Sequence, residues 1–155
     1  MIDEYKLKIL ALDLGTISGW ALWSAGGIDA GSVSFKTKKS EGSGVKYLKF
    51  KMWLAEFDTI EIDQVYYEKV MNHNSVYAAH AYGGFLAILM VWCEIREIPC
   101  IGIGVGTIKK SWTGRGNAKK WEMIDESKRR GFDPVDDNEA DALALLDYVI
   151  NKEIK

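Results

Sequence analysis

The stretch from Lys6 to Trp23, KLKILALDLGTISGWALW, decides the fold. An apolar run, Leu7 to Leu12, arrives at a single acid, Asp13, and Gly15, Thr16, Ser18 and Gly19 follow before apolar residues resume. The run is apolar on both faces, as a strand covered on both sides is, so its place is the centre of a sheet. Gly15 to Gly19 reads as a turn, Trp20 to Ser24 as a second strand, and Gly26-Gly27 as the turn into a third, Ile28 to Phe35. Connections this short imply antiparallel pairing. A carboxylate at the end of a core strand costs on the order of several kcal/mol if buried alone, so Asp13 needs a hydrogen-bonding partner, a cation or a solvent-open cleft.

With 155 residues, 48% hydrophobic and 27% charged, the whole chain, 1–155, reads as one globular domain with a substantial core. The N-terminal MIDEYKLK is charged and carries no cleavage site, and the uncharged apolar run Ala81 to Cys93 is too short to span a bilayer. The expectation is a cytoplasmic protein with no membrane partner. Cys93 and Cys100 form no CxxC pair and have only His73 and His80 as possible nitrogen partners, so two buried free thiols are expected rather than a zinc site or a disulfide. A net charge of −2 excludes a protein that is basic all over. Charge is nevertheless concentrated locally.

Further along, Lys36 to Gly44 is a polar loop and Lys46 to Phe57 an amphipathic helix. Ile62 to Tyr67 is a short strand that delivers Glu68 at its end, as the first delivers Asp13. Met71 to Ser75 is a loop, and Ser75 the N-cap of a long helix from Val76 to about Glu97. Gly83-Gly84 within it costs roughly 1 kcal/mol per glycine, so close packing is expected there. Pro99 stops the helix, and Cys100 to Val105 is another strand. A basic segment, TIKKSWTGRGNAKKWEM, leads to a helix that starts at Asn117 or Ala118, reaches Arg130 and closes at Gly131. Pro134, Asp136 and Asp137 open a last helix, Asn138 to Lys152. The expected order is β β β α β α β α α.

In DDNEADALALL, Asp137 and Asp141 stand four residues apart and Asn138 and Asp141 three apart, so each pair shares a helix face. Asp141 lies inside the helix between alanines, where a capping role is excluded. If that helix packs near the ends of the first and fourth strands, Asp13, Glu68 and Asp141 converge, joined by Asn138 or Asp137. Such carboxylates repel one another unless divalent cations sit among them, and an all-oxygen set favours Mg²⁺ or Mn²⁺. Two ions at one site would suit phosphodiester cleavage. Taken singly the acids have plainer readings: Asp13 as a turn residue, Glu68 as a solvated strand end, Asp136 and Asp137 as helix caps. Their joint order on two strands and a helix is the more specific signal.

Lys109, Lys110, Arg115, Lys119 and Lys120 head a basic stretch that runs to Arg130. With Gly114 and Gly116 and with Trp112 among the charges, it suits a nucleic-acid backbone rather than base reading. Lys36, Lys38, Lys39, Lys46, Lys49 and Lys51 form a second basic flank.

The segments ILALDLGTISGWAL, VYYEKV, IKKSWTGRGNAKKWEM and DDNEADALALL together resemble the RuvC-type Holliday junction resolvases of the RNase H-like superfamily, particularly the small bacteriophage resolvases. The resemblance spans about Lys8 to Val149. It implies an RNase H-like α/β fold, with a mixed five-stranded sheet flanked by helices, and a homodimer whose long central helix contributes to the interface. It implies Mg²⁺-dependent cleavage of Holliday junctions and other branched DNA, with Mn²⁺ as a substitute and two ions per active site. By resemblance Asp13, Glu68 and Asp141 are metal ligands, and Asn138 occupies a position that is Asp or His in well-known members. Lys109 and Lys120 match lysines that support DNA binding and catalysis, and Met71 lies in the loop where relatives insert an aromatic wedge into the junction. Three rival readings stay open: a YqgF-type RNA-processing nuclease, a catalytically weak protein that grips branched DNA, and a sugar-kinase or actin-like ATPase. The last needs two such domains around its nucleotide.

Overall fold

The computed structural model describes residues 6–25 and 27–154, so Gly26 of the expected Gly26-Gly27 turn and the start of MIDEYKLK lie outside the described residues. Strand β1 (Ile9–Asp13) pairs antiparallel with β2 (Ile17–Ser24), which pairs antiparallel with β3 (Gly27–Ser34). On its other side β1 pairs parallel with β4 (Gln64–Lys69), and β4 with β5 (Cys100–Gly104). The five-stranded sheet has the order β3-β2-β1-β4-β5, with β1 at its centre. The two antiparallel pairings are those expected from the short connections at the start of the chain, and the mixed five-stranded sheet is the one the family resemblance implies.

Alternation along β1 and β4 separates two cores. Leu10, Leu12, Val65 and Tyr67 face one cluster with helices α1 (Val45–Ala55) and α2 (Val76–Ile95). Ile9, Ala11 and Tyr66 face the other with α3 (Val105–Thr113), α4 (Lys120–Arg129) and α5 (Asp137–Val149). The first cluster is aromatic: Phe35, Phe50 and Phe85 are fully buried, with ring centroids 5.3–5.9 Å apart. The second is aliphatic and belongs mainly to α5, whose Leu143, Ala144, Leu145 and Leu146 are all buried because the sheet lies beneath this helix and α3 and α4 lie against it.

Several boundaries differ from the sequence reading. Ser18 and Gly19 belong to β2 rather than to a turn, since Asp13 pairs with Gly19 across the hairpin. Helix α1 ends at Ala55 and passes into a 3-10 turn, Glu56–Thr59. Ser75 caps α2 by accepting from the Ala78 amide at 3.0 Å, but α2 stops at Ile95, and Glu97 takes a left-handed backbone with φ 55°. At 20 residues with a mean hydropathy of 1.5, α2 is long and apolar enough to cross a membrane by those measures alone. Its Ala81, Phe85, Leu89, Trp92 and Cys93 are instead buried within the fold. Cys93 is buried, whereas Cys100 is half-buried rather than buried as expected; both are free, and the two thiols hydrogen-bond to each other.

Helix α3 is an addition, because the basic segment after β5 does not read as helical. Glycines 104 and 106 and the β-branched Val105, Thr107 and Ile108 hide it, although Ile108 and Trp112, four residues apart, are both buried by it. The last helix begins at Asp137, with Asp136 as its cap, and gives way at Ile150 to a π-helical turn.

Glycine has contrasting roles in two elements. A Cβ on Gly19 would stand 1.8 Å from the Asn138 carbonyl oxygen, so α5 reaches the sheet only over a bare backbone. In α2 a Cβ on Gly84 would meet the Tyr47 ring at 2.5 Å, whereas Gly83 faces open space, so the close packing expected of both holds for Gly84 alone. Replacing Gly19 with Ala should therefore destabilise the protein by about 3 kcal/mol or more. Gly83→Ala should stabilise it by up to about 1 kcal/mol. Denaturant unfolding of the two variants against the parent measures both.

Candidate metal centre and nucleic-acid face

Strand alternation carries Asp13 and Glu68 to the same side of the sheet. Asp13 continues the face of Ile9 and Ala11, Glu68 the face of Tyr66, and all of these look toward α5. Because β1 and β4 are parallel, with Leu12 opposite Tyr67, the two acids leave adjacent strands side by side. Helix α5 brings the third. Its N-terminus is clamped by Asp136, which accepts from the Glu139 amide at 2.9 Å and from the Ser32 hydroxyl of β3 at 2.6 Å. Glu139 accepts in turn from the Val135 amide at 2.5 Å. With the helix start pinned against Gly19, Asp141 projects one turn in, onto the ends of β1 and β4.

Carboxylate oxygens of Asp13, Glu68 and Asp141 all lie within 4.8 Å of one another. Glu68 is 7% exposed, and Asp13 and Asp141 are half-buried. Burial, and then the charges of Glu68 and Asp141, hold Asp13 well above the usual carboxylate range, and its hydrogen bond with Glu68 acts in the same direction. Burial also raises Glu68, against the opposing effects of that hydrogen bond and the Lys109 ammonium. Asp141 is pushed up to about 8, first by burial and then by Glu68, with Lys109 and Lys120 acting the other way.

Surroundings on both sides hold the cluster in place. The Tyr82 hydroxyl of α2 donates to the Glu68 carbonyl at 2.7 Å and accepts from the Val70 amide at 3.2 Å, fixing the backbone that leaves β4. Ser18, fully buried, closes the hairpin by donating to the Gly15 carbonyl at 2.8 Å and accepting from its amide at 3.1 Å. Neither was identified from the sequence as a supporting residue. Ser18, a serine three residues after a turn glycine, is the one that carried a signal.

The centre suits hard divalent cations. All its side-chain donors are carboxylate oxygens, and Asp141 Oδ1 is buried without a hydrogen-bond partner among the described residues. A buried acceptor left unsatisfied costs about 1–3 kcal/mol, which a cation at that oxygen would remove. Asp137, on the same helix face as Asp141, adds its charge to both Asp13 and Asp141 and pairs with Lys120 Nζ at 3.5 Å. Asn138 stands half-buried beside it, its backbone carbonyl against Gly19.

The basic segment divides into two parts. Lys109, on α3, is close enough to Glu68 and Asp141 to lower both, and it lines a groove of about 580 Å³ with Glu68, Met71, Asn72 and Gly106. Met71, 75% exposed, stands at its edge. Lys110, Lys119 and Lys120 are exposed, and Arg115 pairs with Glu122 at 3.0 Å. Trp112, expected among the charges as part of a DNA surface, is instead core: it is 2% exposed and its Nε1 donates to the Met123 carbonyl at 3.2 Å. Arg130 lies over its ring at 3.9 Å and pairs with Glu126 and Asp147, so this arginine serves the fold.

A central mixed sheet with flanking helices, carrying an acid triad at the strand ends, is an RNase H-like fold. Among proteins of that fold the chain is similar to RuvC Holliday junction resolvases. It is 27% identical to the crossover junction endodeoxyribonuclease RuvC of Ehrlichia chaffeensis over 76% of this chain and 78% of the relative. Its fold matches Thermus thermophilus RuvC solved in complex with a Holliday junction substrate, with a TM-score of 0.72 at 20% identity over 90% of both chains. It also matches the yeast mitochondrial Holliday junction resolvase Ydc2, with a TM-score of 0.61 at 11% identity over 93% of this chain and 78% of the other. No protein-family model matches.

The raised acids set a pH dependence. A carboxyl whose folded pKa lies above its unfolded value binds more protons when folded, so metal-free stability falls as pH rises from the ordinary value of 3.8 toward about 8. Thermal unfolding without metal should give a lower Tm at pH 8 than at pH 6, and Mg²⁺ should raise Tm more at pH 8. In metal-free buffer at pH 8, Asp13→Asn should raise Tm by about 3–6 °C, the equivalent of 1–2 kcal/mol of relieved repulsion.

Proposed function

We propose that this protein is a divalent-metal-dependent endonuclease that resolves Holliday junctions and other branched DNA. The observation that carries the reading is the triad Asp13, Glu68 and Asp141, gathered within 4.8 Å at the strand ends of a RuvC-like fold. These residues would hold Mg²⁺, with Mn²⁺ able to replace it and two ions at each site. Bound there, the cations supply the Lewis acidity that activates water and stabilises the leaving oxygen in phosphodiester hydrolysis.

The protein's own groups divide the remaining work. Asp137 completes the acidic set, which its charge on Asp13 and Asp141 supports, and Lys120 holds it in place. Asn138, whose carbonyl lies against β2, orients a ligand or a water. Lys109, Lys110, Arg115, Lys119 and Lys120 neutralise the phosphates that flank the cut. Met71, at the edge of the groove beside Glu68, enters the branch point, where a thioether stacks less well than an aromatic ring.

Two equal cuts need two sites, and the reading includes a homodimer formed through α1 and α2. Support comes from the apolar side chains those helices leave exposed: Leu48 at 54%, Met52 at 65%, Val91 at 59% and Ile95 at 73%. They border a groove of about 530 Å³ whose apolar lining, Ala87, Ile88, Val91 and Ile95 among it, is flanked by the charged Lys51, Asp58 and Arg96. The reading places the enzyme in the cytoplasm. A bacteriophage setting rests on the sequence resemblance alone.

Asp13→Asn should abolish cleavage of a four-way DNA junction while leaving junction binding intact, and retained Mg²⁺-dependent cleavage in that variant would sink the assignment. Asp137→Asn should slow single-turnover cleavage by roughly 10–100-fold and Asn138→Ala by less; the reverse order assigns the fourth position to Asn138. A structured RNA cut faster than the junction would favour the RNA-processing alternative. For the dimer, Ile95→Glu should shift the protein to monomer in light scattering without lowering its Tm.

A further inference from the structure

Trp121 stands apart from the other tryptophans of this chain. All six lie among the described residues; Trp92 and Trp112 are buried, Trp20, Trp23 and Trp53 are half-buried, and Trp121 is 60% exposed. Helix α4 turns Met123 and Ser127 into the core, so its inward face is already supplied without the indole. Trp121 follows Lys120, whose ammonium reaches Asp137, one helical turn before Asp141.

Beside the indole is a shallow cleft of about 270 Å³, lined also by Thr113, Arg115, Glu122, Asp125, Glu126 and Arg129. Its charges largely cancel. Arg115 pairs with Glu122 at 3.0 Å and Arg129 with Glu126 at 2.5 Å, which leaves Asp125 as the remaining charge. Such a cleft holds little net charge to draw a phosphate into it, but it accepts a neutral planar group against an aromatic face. Cations for the neighbouring phosphates stand next to it at Lys119 and at Lys120, whose side chain is 83% exposed. The helix start that carries the ring is fixed, since the Lys119 amide donates to Glu122 Oε2 at 2.5 Å.

We propose that Trp121 is a stacking platform for an unpaired nucleobase of branched DNA, at the α4 side of the acid cluster. The proposal rests on the branched-DNA reading above and adds a base contact to it. Aromatic stacking of this kind tolerates any base, because every base offers a π face. Trp121 would thus hold displaced bases without imposing a sequence, while the lysines beside it hold the backbone.

The test uses the full chain carrying Asp13→Asn, so that bound DNA stays uncut, and compares it with the same chain carrying Trp121→Ala or Trp121→Phe. Fluorescence anisotropy would measure affinity for a four-way junction with unpaired bases at the branch and for a linear duplex of the same length. Trp121→Ala should weaken junction binding about 10-fold, with little effect on the duplex and none on Tm, and Trp121→Phe should recover most of the loss. Junction binding should also quench tryptophan emission in the parent, with most of that quench absent from the Phe variant. Unchanged junction affinity in the Ala variant overturns the proposal. An equal loss on duplex and junction also overturns it, as does a change of oligomeric state, which would assign Trp121 to a protein contact. If the parent binds no junction, the branched-DNA reading itself fails; if the parent binds and the Ala variant matches it, only the stacking role fails.

Discussion

The rest of the structure depends on the contact between the first turn of α5 and the bare backbone of Gly19. No side chain could stand there, since its first carbon would lie 1.8 Å from the Asn138 carbonyl oxygen. That approach lets α5 lie flat over β1 and β2, makes it the most buried helix of the fold, and sets the depth at which Asp141 meets Asp13 and Glu68. The Ser32–Asp136 hydrogen bond fixes the same helix start from the β3 side. Packing and chemistry are therefore adjusted by one distance, and a change at Gly19 would move both.

The acidic centre works against the stability of the domain that builds it. Three carboxylates are held together in partial burial, one carries an oxygen with no partner, and Asp141 is pushed up to about 8. Nothing in the core requires this arrangement; the neighbouring positions on β1, β4 and α5 are ordinary apolar residues. Local conflict of this kind within an otherwise consistent fold marks a functional site. Lys109 and Lys120 temper the repulsion from α3 and α4 without entering the cluster, which leaves the carboxylate oxygens for a cation.

The two sides of the sheet have separate duties. On the α5 side lie the acids, the lysines and Trp121, arranged around the ends of the parallel strands. On the α1–α2 side lies the aromatic core of Phe35, Phe50 and Phe85, covered by helices whose outer faces expose Leu48, Met52, Val91 and Ile95. The acid triad and the exposed apolar side chains thus lie on opposite sides of the sheet, although Lys46, Lys49 and Lys51 put charge on the α1 side as well. The Tyr82 hydroxyl links the two sides, because α2 uses it to hold the Glu68 carbonyl.

Much of this was legible in the amino-acid order, because it follows from local rules. The double-sided apolar run before Asp13 placed a central strand, the short connections after it set the antiparallel hairpins, and the period of two put Asp13 and Glu68 at matching strand ends. The α5 spacing put Asp137 and Asp141 on one face. What the sequence could not decide was which aromatic in the basic segment is buried, since Trp112 and Trp121 sit in equally charged surroundings. Burial follows from where α3 and α4 cross α5, and α3 itself was hidden by glycine and β-branched residues whose weak helix propensity tertiary packing overrides. The role of Gly19 was equally out of reach, because a glycine needed for close approach and one needed for a turn are the same letter. Sequence by itself determined the strands, their order and the acids they carry, through periodicities that act within a few residues. Only the tertiary structure decided how closely α5 settles on the sheet, and so which acids meet, because that distance depends on contacts between segments more than a hundred residues apart.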